Sequence, residues 1–273
     1  MRILLIGDIV GRPGMHACSQ IIPRLRRERD LDFVLANAEN ATAGSGLTPA
    51  MFRKLLHYGV DAVTMGDHIY RKREIYETLA ESDRIVRPAN FPAQAVGRDH
   101  TVVAARNGAL VAVVSLMGKL FMNVRADCPF AAIERIRANL PPEVRVVLVD
   151  VHAEATGEKV ALGWFLDGRV TAVVGTHTHV QTADERILPQ GTAYISDLGM
   201  TGPHDSVLGR DKHAVVQSLV TGMPYAYNVA RHDPRLNGVI VECDPATGRA
   251  LAIERVSILE ESAPPGEGEE SGD

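Results

Sequence analysis

Carboxylate, amide and imidazole side chains recur in this chain just after apolar, β-branched runs. Asp8 follows ILLIG, Glu39 and Asn40 follow FVLANA, and Asp67 and His68 follow AVTMG; Asp150 and His152 follow VVLV, and His177 and His179 follow VVGT. Such ligands suit Mn, Fe or Zn, whereas a calcium site would be built from oxygen alone. Singly, an Asp or Asn after a strand is more often a turn former or helix cap, and a lone His152 reads as readily as a hydrogen-bonded core residue. The set is more specific than its members. In open α/β sheets the ligand site lies beyond the carboxyl ends of the strands, where such loops converge. In GTHTH, residues 175–179, an extended backbone would present His177 and His179 on one side, as a metal site requires. The candidates exceed what one four-coordinate ion takes, so two ions about 3.5–4 Å apart, bridged by a shared carboxylate, are expected.

Strands must position these loops. The apolar runs 2–7, 33–36, 62–65, 110–115, 144–149, 172–175 and 193–196 read as buried strands, and 15–29, 49–58, 72–81, 129–139 and 158–166 carry helical patterns between them. The alternation predicts an α/β fold of sheets covered by helices. Runs 238–243 and 250–257 flank a turn-rich stretch and predict a hairpin closing one sheet edge. Residues 1–258 read as one domain and 259–273 as a disordered acidic tail, the composition turning to SAPPGEGEESGD at Ser262.

Bulk composition excludes several classes. A net charge of −5 supplies no basic field for a nucleic-acid polymer, though a nucleotide-sized substrate is compatible with it. No apolar run approaches the ~18 residues of a membrane span. MRILLIGD meets an acid at once and shows no cleavage site, so a soluble, cytoplasmic protein is expected. Cys18, Cys128 and Cys243 lie far apart and read as reduced thiols. GSG at 44–46 and GDIVGRPG are incomplete as dinucleotide or P-loop fingerprints. A homo-oligomer is compatible with the sequence.

GD at 7–8, Glu39-Asn40, GDH at 66–68, His152 and GTHTH at 175–179 together resemble the ordered motifs of calcineurin-like metallophosphoesterases. The strings GDIVGRPG, NAENATAG, RPANFP, DVHAEATGEK, GTHTHVQTADE and SDLGMTGP resemble the bacterial YmdB-type branch, over nearly the whole chain to about residue 258. The resemblance implies a four-layer α-β-β-α sandwich and a binuclear phosphodiesterase acting on cyclic nucleotides, 2′,3′-cyclic AMP among them, by attack of a metal-bridging hydroxide. It implies Asp8, Glu39 and His179 on one ion, and Glu39, Asp67, His152 and His177 on the other. The superfamily histidine two residues after the first aspartate is Val10 here, and Asn40 is the replacement ligand the branch implies; the oxygen-rich set favours Fe or Mn over Zn. Asp67 replaces the usual asparagine, adding charge that tightens cation binding and makes bound water less acidic.

His68, beside Asp67, is the candidate general acid for the departing ribose oxygen, and Asp150 a candidate to orient His152. The loop 196–209 either borders substrate or is a packed turn. Two other readings share these residues: a phosphomonoesterase or nucleotidase, and a regulatory protein that binds a nucleotide through its metals with little turnover.

Overall fold

The computed structural model describes residues 1–261. Its strands are β1 (Arg2–Ile6), β2 (Asp8–Ile9), β3 (Phe33–Asn37), β4 (Ala62–Thr64), β5 (Ile85–Val86), β6 (His100–Ala104) and β7 (Leu110–Met117), followed by β8 (Val146–His152), β9 (Ala172–Thr176), β10 (Arg186–Ile187), β11 (Ala193–Ile195), β12 (Met200–Pro203), β13 (Pro234–Cys243) and β14 (Ala250–Leu259). The helices among the described residues are α1 (Gly11–Glu28), α2 (Pro49–Tyr58), α3 (Ile75–Glu81), α4 (Pro129–Asn139), α5 (Thr156–Leu166) and α6 (Lys212–Thr221).

Alternation along the strands builds the layers. In β1, Ile3 and Leu5 point one way and Leu4 and Ile6 the other, and all four are buried. Leu4 and Ile6 join Val34, Ala36 and Val63 against Ile21 and Leu25 of α1, Phe52 and Leu55 of α2 and Leu79 of α3. Ile3 and Leu5 join Phe33, Leu35 and Val239 against Val113, Leu148, Val174 and Ile195 of the second sheet. The outer face of that sheet, with Val114, Val149 and Val173, packs on Ile133 and Ile136 of α4 and Leu162 and Leu166 of α5. Helices, sheet, sheet, helices is the four-layer order expected.

The first sheet runs β2-β12-β13-β1-β3-β4-β5, with β14 added to β13; the second runs β10-β11-β9-β8-β7-β6. β1, β3, β4 and β5 are mutually parallel, as are β11, β9, β8 and β7. Parallel order sends the carboxyl ends of β1, β3 and β4 to one rim and those of β8 and β9 to the facing rim. The hairpin β13–β14 pairs antiparallel to β1 and leaves β14 on the edge. Strand β14 runs to Leu259 and the Glu260 N–H donates to the Pro234 carbonyl at 2.8 Å, so the ladder takes in the first residues expected in the tail. The rest of that tail, 262–273, lies outside the described residues.

Local chemistry sets the helix ends. Thr48 caps α2 by accepting from Met51 N–H, Pro49 starts the helix, and Gly59 ends it at φ 101°, in the left-handed region that glycine tolerates. Loop 196–209 contains the buried strand β12, so it is chiefly packed structure. RPANFP is packed too. Arg87 donates to the carbonyls of Ala95, Gly97 and Pro88, and Asn90 ties Met117 to Asp127. No described helix is long and apolar enough to cross a membrane.

Candidate metal centre

The strand-end loops meet where the rims of the two sheets face each other. Asp8 opens β2, Glu39 and Asn40 follow β3, Asp67 and His68 follow β4, His152 ends β8, and His177 and His179 follow β9. One ligand atom from each of Glu39, Asp67, His152 and His177 lies within 4.8 Å of the others. Within that group His152 Nε2 stands 3.1 Å from Asp67 Oδ1, 3.3 Å from Glu39 Oε1 and 3.1 Å from His177 Nδ1. These four are the residues the resemblance assigned to the second ion.

The other assigned set adjoins it. Asp8 Oδ1 lies 3.9 Å from His179 Nε2 and 3.9 Å from His152 Nδ1, while Asp8 Oδ2 accepts the His177 N–H at 3.0 Å. Asn40 Nδ2 donates to Glu39 Oε1 at 3.1 Å and sits 3.3 Å from His179 Nε2. The two histidines do not share one side of an extended strand. His177 has φ 98° and His179 φ 64°, because the chain turns on leaving Thr176, and the rings serve opposite ends of the cluster.

Four observations fit a cation here. Asp8, Glu39 and Asp150 are buried together, and Asp8 Oδ1 is a buried acceptor with no hydrogen-bond partner, a cost folding seldom tolerates. Burial pushes the Asp8 carboxyl up despite the pull of His179 and His152. Burial also raises Glu39, but the His152 charge and hydrogen bonds from His152 and His68 outweigh it and hold the carboxyl well below the usual range. At Gly66 a Cβ would stand 2.3 Å from His152 and 2.4 Å from Glu39 Oε2, so the absent side chain leaves the ligands their room.

His68 is partly exposed, with Nδ1 2.7 Å from Asn40 Oδ1 and 3.2 Å from Glu39 Oε1 and Nε2 3.6 Å from Asp67 Oδ2. The hydrogen bond to Glu39 raises its pKa above the ordinary imidazole value.

Supporting residues without motif spacing complete the arrangement. Asp150 does not touch His152 directly; it accepts from Thr176 Oγ1 at 2.7 Å, and that hydroxyl lies 2.8 Å from His152 Nδ1. Asn37 donates to Asp150 at 3.1 Å and accepts the Glu39 N–H at 3.2 Å. Asp197 accepts from Thr178 N–H and Oγ1, between the two histidines, and from buried Lys159 at 2.7 Å. Glu154 meets His177 Nε2 at 3.2 Å. Asn37 lies in NAENATAG, Asp197 in SDLGMTGP and Glu154 and Lys159 in DVHAEATGEK, but their spacing does not mark them as supports, since folding brings them together from different loops, strands and helices. A cavity of about 980 Å³ lies elsewhere, between Arg87, Arg98, His100 and Arg135, and none of the site residues lines it.

A family model described as YmdB-like protein matches residues 4–256. The chain belongs to the YmdB-like family. A relative from Bacillus subtilis (strain 168), named 2′,3′-cyclic-nucleotide 2′-phosphodiesterase, is 45% identical over 258 residues, covering 94% of this chain and 97% of that protein. Among solved structures, a hypothetical protein from Thermus thermophilus superposes with TM-score 0.88 at 38% identity, covering 95% of this chain and 100% of the other. A phosphatase from Mycoplasma pneumoniae gives TM-score 0.88 at 30% identity, covering 95% and 93%. The YmdB-like fold is therefore shared over nearly the full described length, and the converging loops belong to the shared part.

Proposed function

We propose that this chain is a cytoplasmic, metal-dependent phosphodiesterase that opens 2′,3′-cyclic nucleotides at the 2′ ester, with residues 1–258 acting as one catalytic unit. The observation that carries the reading is the cluster of Glu39, Asp67, His152 and His177 beside the unpartnered Asp8 Oδ1. The name of the Bacillus subtilis relative supports the substrate class.

Asp8, Asn40, His179 and Glu39 would hold one ion, and Glu39, Asp67, His152 and His177 the other, with Fe or Mn suited to the mixed oxygen and nitrogen donors. When bound, such ions neutralise phosphoryl oxygens and acidify water. Asn40 would ligate through its carbonyl, which requires its amide to turn over, since the NH₂ now faces Glu39 and His179. That turn would leave His68 Nδ1 facing an amide donor and direct its proton elsewhere.

His68 is the proton donor to the ribose 2′ oxygen. As water adds to phosphorus the bond to that oxygen breaks, and the imidazolium delivers the proton the leaving alkoxide requires. Its partial exposure admits substrate, and its hydrogen bond to Glu39 raises its pKa above the ordinary imidazole value. Asp150, through Thr176, keeps the His152 ring oriented.

The test is turnover of 2′,3′-cyclic AMP by Mn- or Fe-loaded full chain with products separated. The expected product is the 3′-monophosphate. Metal-replete protein that is inert on the cyclic ester but cleaves monoesters would replace this reading with a phosphomonoesterase.

A further inference from the structure

The cavity of about 980 Å³ that lies apart from the metal centre has the size of a small-molecule site. The RPANFP segment, β6 and helix α4 supply its walls, and three arginines, Arg87, Arg98 and Arg135, line it.

Burial orders the charges. Arg87 is only 5% exposed, and its Nε and Nη1 donate to the carbonyls of Ala95, Gly97 and Pro88. No carboxylate among the described residues pairs with it. Its Nη2 has no hydrogen-bond partner among them either, yet it is not sealed from solvent, so that edge of the guanidinium opens into the cavity. A buried cation with no counter-charge is costly. Arg98 donates only from Nε, to the Ser82 carbonyl, and its two Nη groups have no partner among the described residues. Arg135 and His100 already hold Asp99, at 2.8 Å and 2.7 Å. Asp83 and Asp127 also line the cavity but are exposed, where water screens them.

We propose that this cavity binds a small organic monophosphate, with its phosphoryl group on Arg87 and Arg98 and its apolar or aromatic part against Phe91, Val102 and Ala132. Charge and shape set the class. Guanidinium forks match phosphate oxygens in pairs. A carboxylate presents two oxygens in one plane, whereas the three terminal oxygens of a phosphate can meet two forks at once. Asp83 and Asp127 would repel a polyanion, which limits the ligand to a single phosphoryl group. On α4 the small side chains of Ala131 and Ala132 leave room for the body of the ligand. Binding here would hold whichever reaction the metal centre performs.

A thiol in the same cavity provides the test. Cys128 lines it and is the one exposed cysteine of the three, so the rate at which N-ethylmaleimide alkylates Cys128 reports occupancy. The probe is phenylphosphonate, whose carbon–phosphorus bond is not an ester, added to metal-loaded full chain, with benzoate and benzyl alcohol for comparison. Phenylphosphonate is expected to slow alkylation in a saturable way, and benzyl alcohol to leave the rate unchanged. Probe bound at the metal centre would not shield Cys128, since the two sites share no residue. Arg98→Ala, at an exposed position, should raise the half-protecting concentration about 10-fold or more, and Arg87→Met should abolish protection. Circular dichroism checks that both variants fold, and Arg98→Ala decides alone if Arg87→Met does not. Unchanged alkylation of wild type would overturn the proposal, as would protection that the folded variants retain in full, or protection stronger with benzoate than with phenylphosphonate.

Discussion

At the scale of residues, two side chains separate holding a metal from moving a proton. His68→Ala removes the proposed donor while leaving Asp8, Glu39, Asp67, His152, His177 and His179 in place. Metal content should be unchanged and kcat on 2′,3′-cyclic AMP should fall about 10²–10⁴-fold; loss of metal with activity would make His68 a ligand instead. Lys159 acts differently. It is buried 2.7 Å from Asp197, whose other bonds fix Thr178 between the two histidines. Lys159→Met strands a buried carboxylate and should cost about 3–5 kcal/mol in urea unfolding; a loss below ~1 kcal/mol would show that Asp197 needs no cation. The ligand loops were legible because each is an apolar run ending in an acid, amide or imidazole. Lys159 and Asp197 were not, since nothing in a helical Lys at 159 or a loop Asp at 197 says that folding brings them together.

At the scale of elements, strand ends do the positioning. Glycine keeps their rims close, and Gly66→Ala should expel metal, because the new methyl group would stand 2.3 Å from His152. A Gly66→Ala protein that retained its metal with wild-type stoichiometry would show that the β4 loop can shift without cost. Strands β1, β3, β8 and β9 were readable from continuous apolar runs, as strands buried on both faces require. Strand β6 was not, because its burial alternates between half-buried and buried positions, and β5 and β12 are too short to show periodicity. Helix α6 escaped for a different reason. None of its residues is buried, so it lacks the inward apolar face by which a helix is read from sequence.

At the scale of the whole molecule, the fold gathers carboxylates on both the site and the surface, and pH separates their effects. A hydrogen bond from His100 and the nearby Arg135 hold Asp99 well below the usual carboxylate range. Its contribution to stability is therefore complete above the unfolded carboxyl pKa of about 4 and fades as pH falls toward the lower folded value. Asp99→Asn should flatten the acid limb of a Tm-against-pH curve; an unchanged limb would assign acid sensitivity to other carboxylates. The four-layer architecture follows from alternation in strands such as Ile3-Leu4-Leu5-Ile6, whose side chains enter two different cores. The central claim is that the converging loops hold metal for phosphodiester hydrolysis. Its most direct test is to count metal per chain by mass spectrometry and to measure 2′,3′-cyclic AMP turnover in the same samples of wild type, Asp8→Ala and Glu39→Gln protein. Wild type with bound metal and turnover, and variants that lose both in proportion, is the predicted result; turnover that survives in a variant stripped of its metal would contradict it.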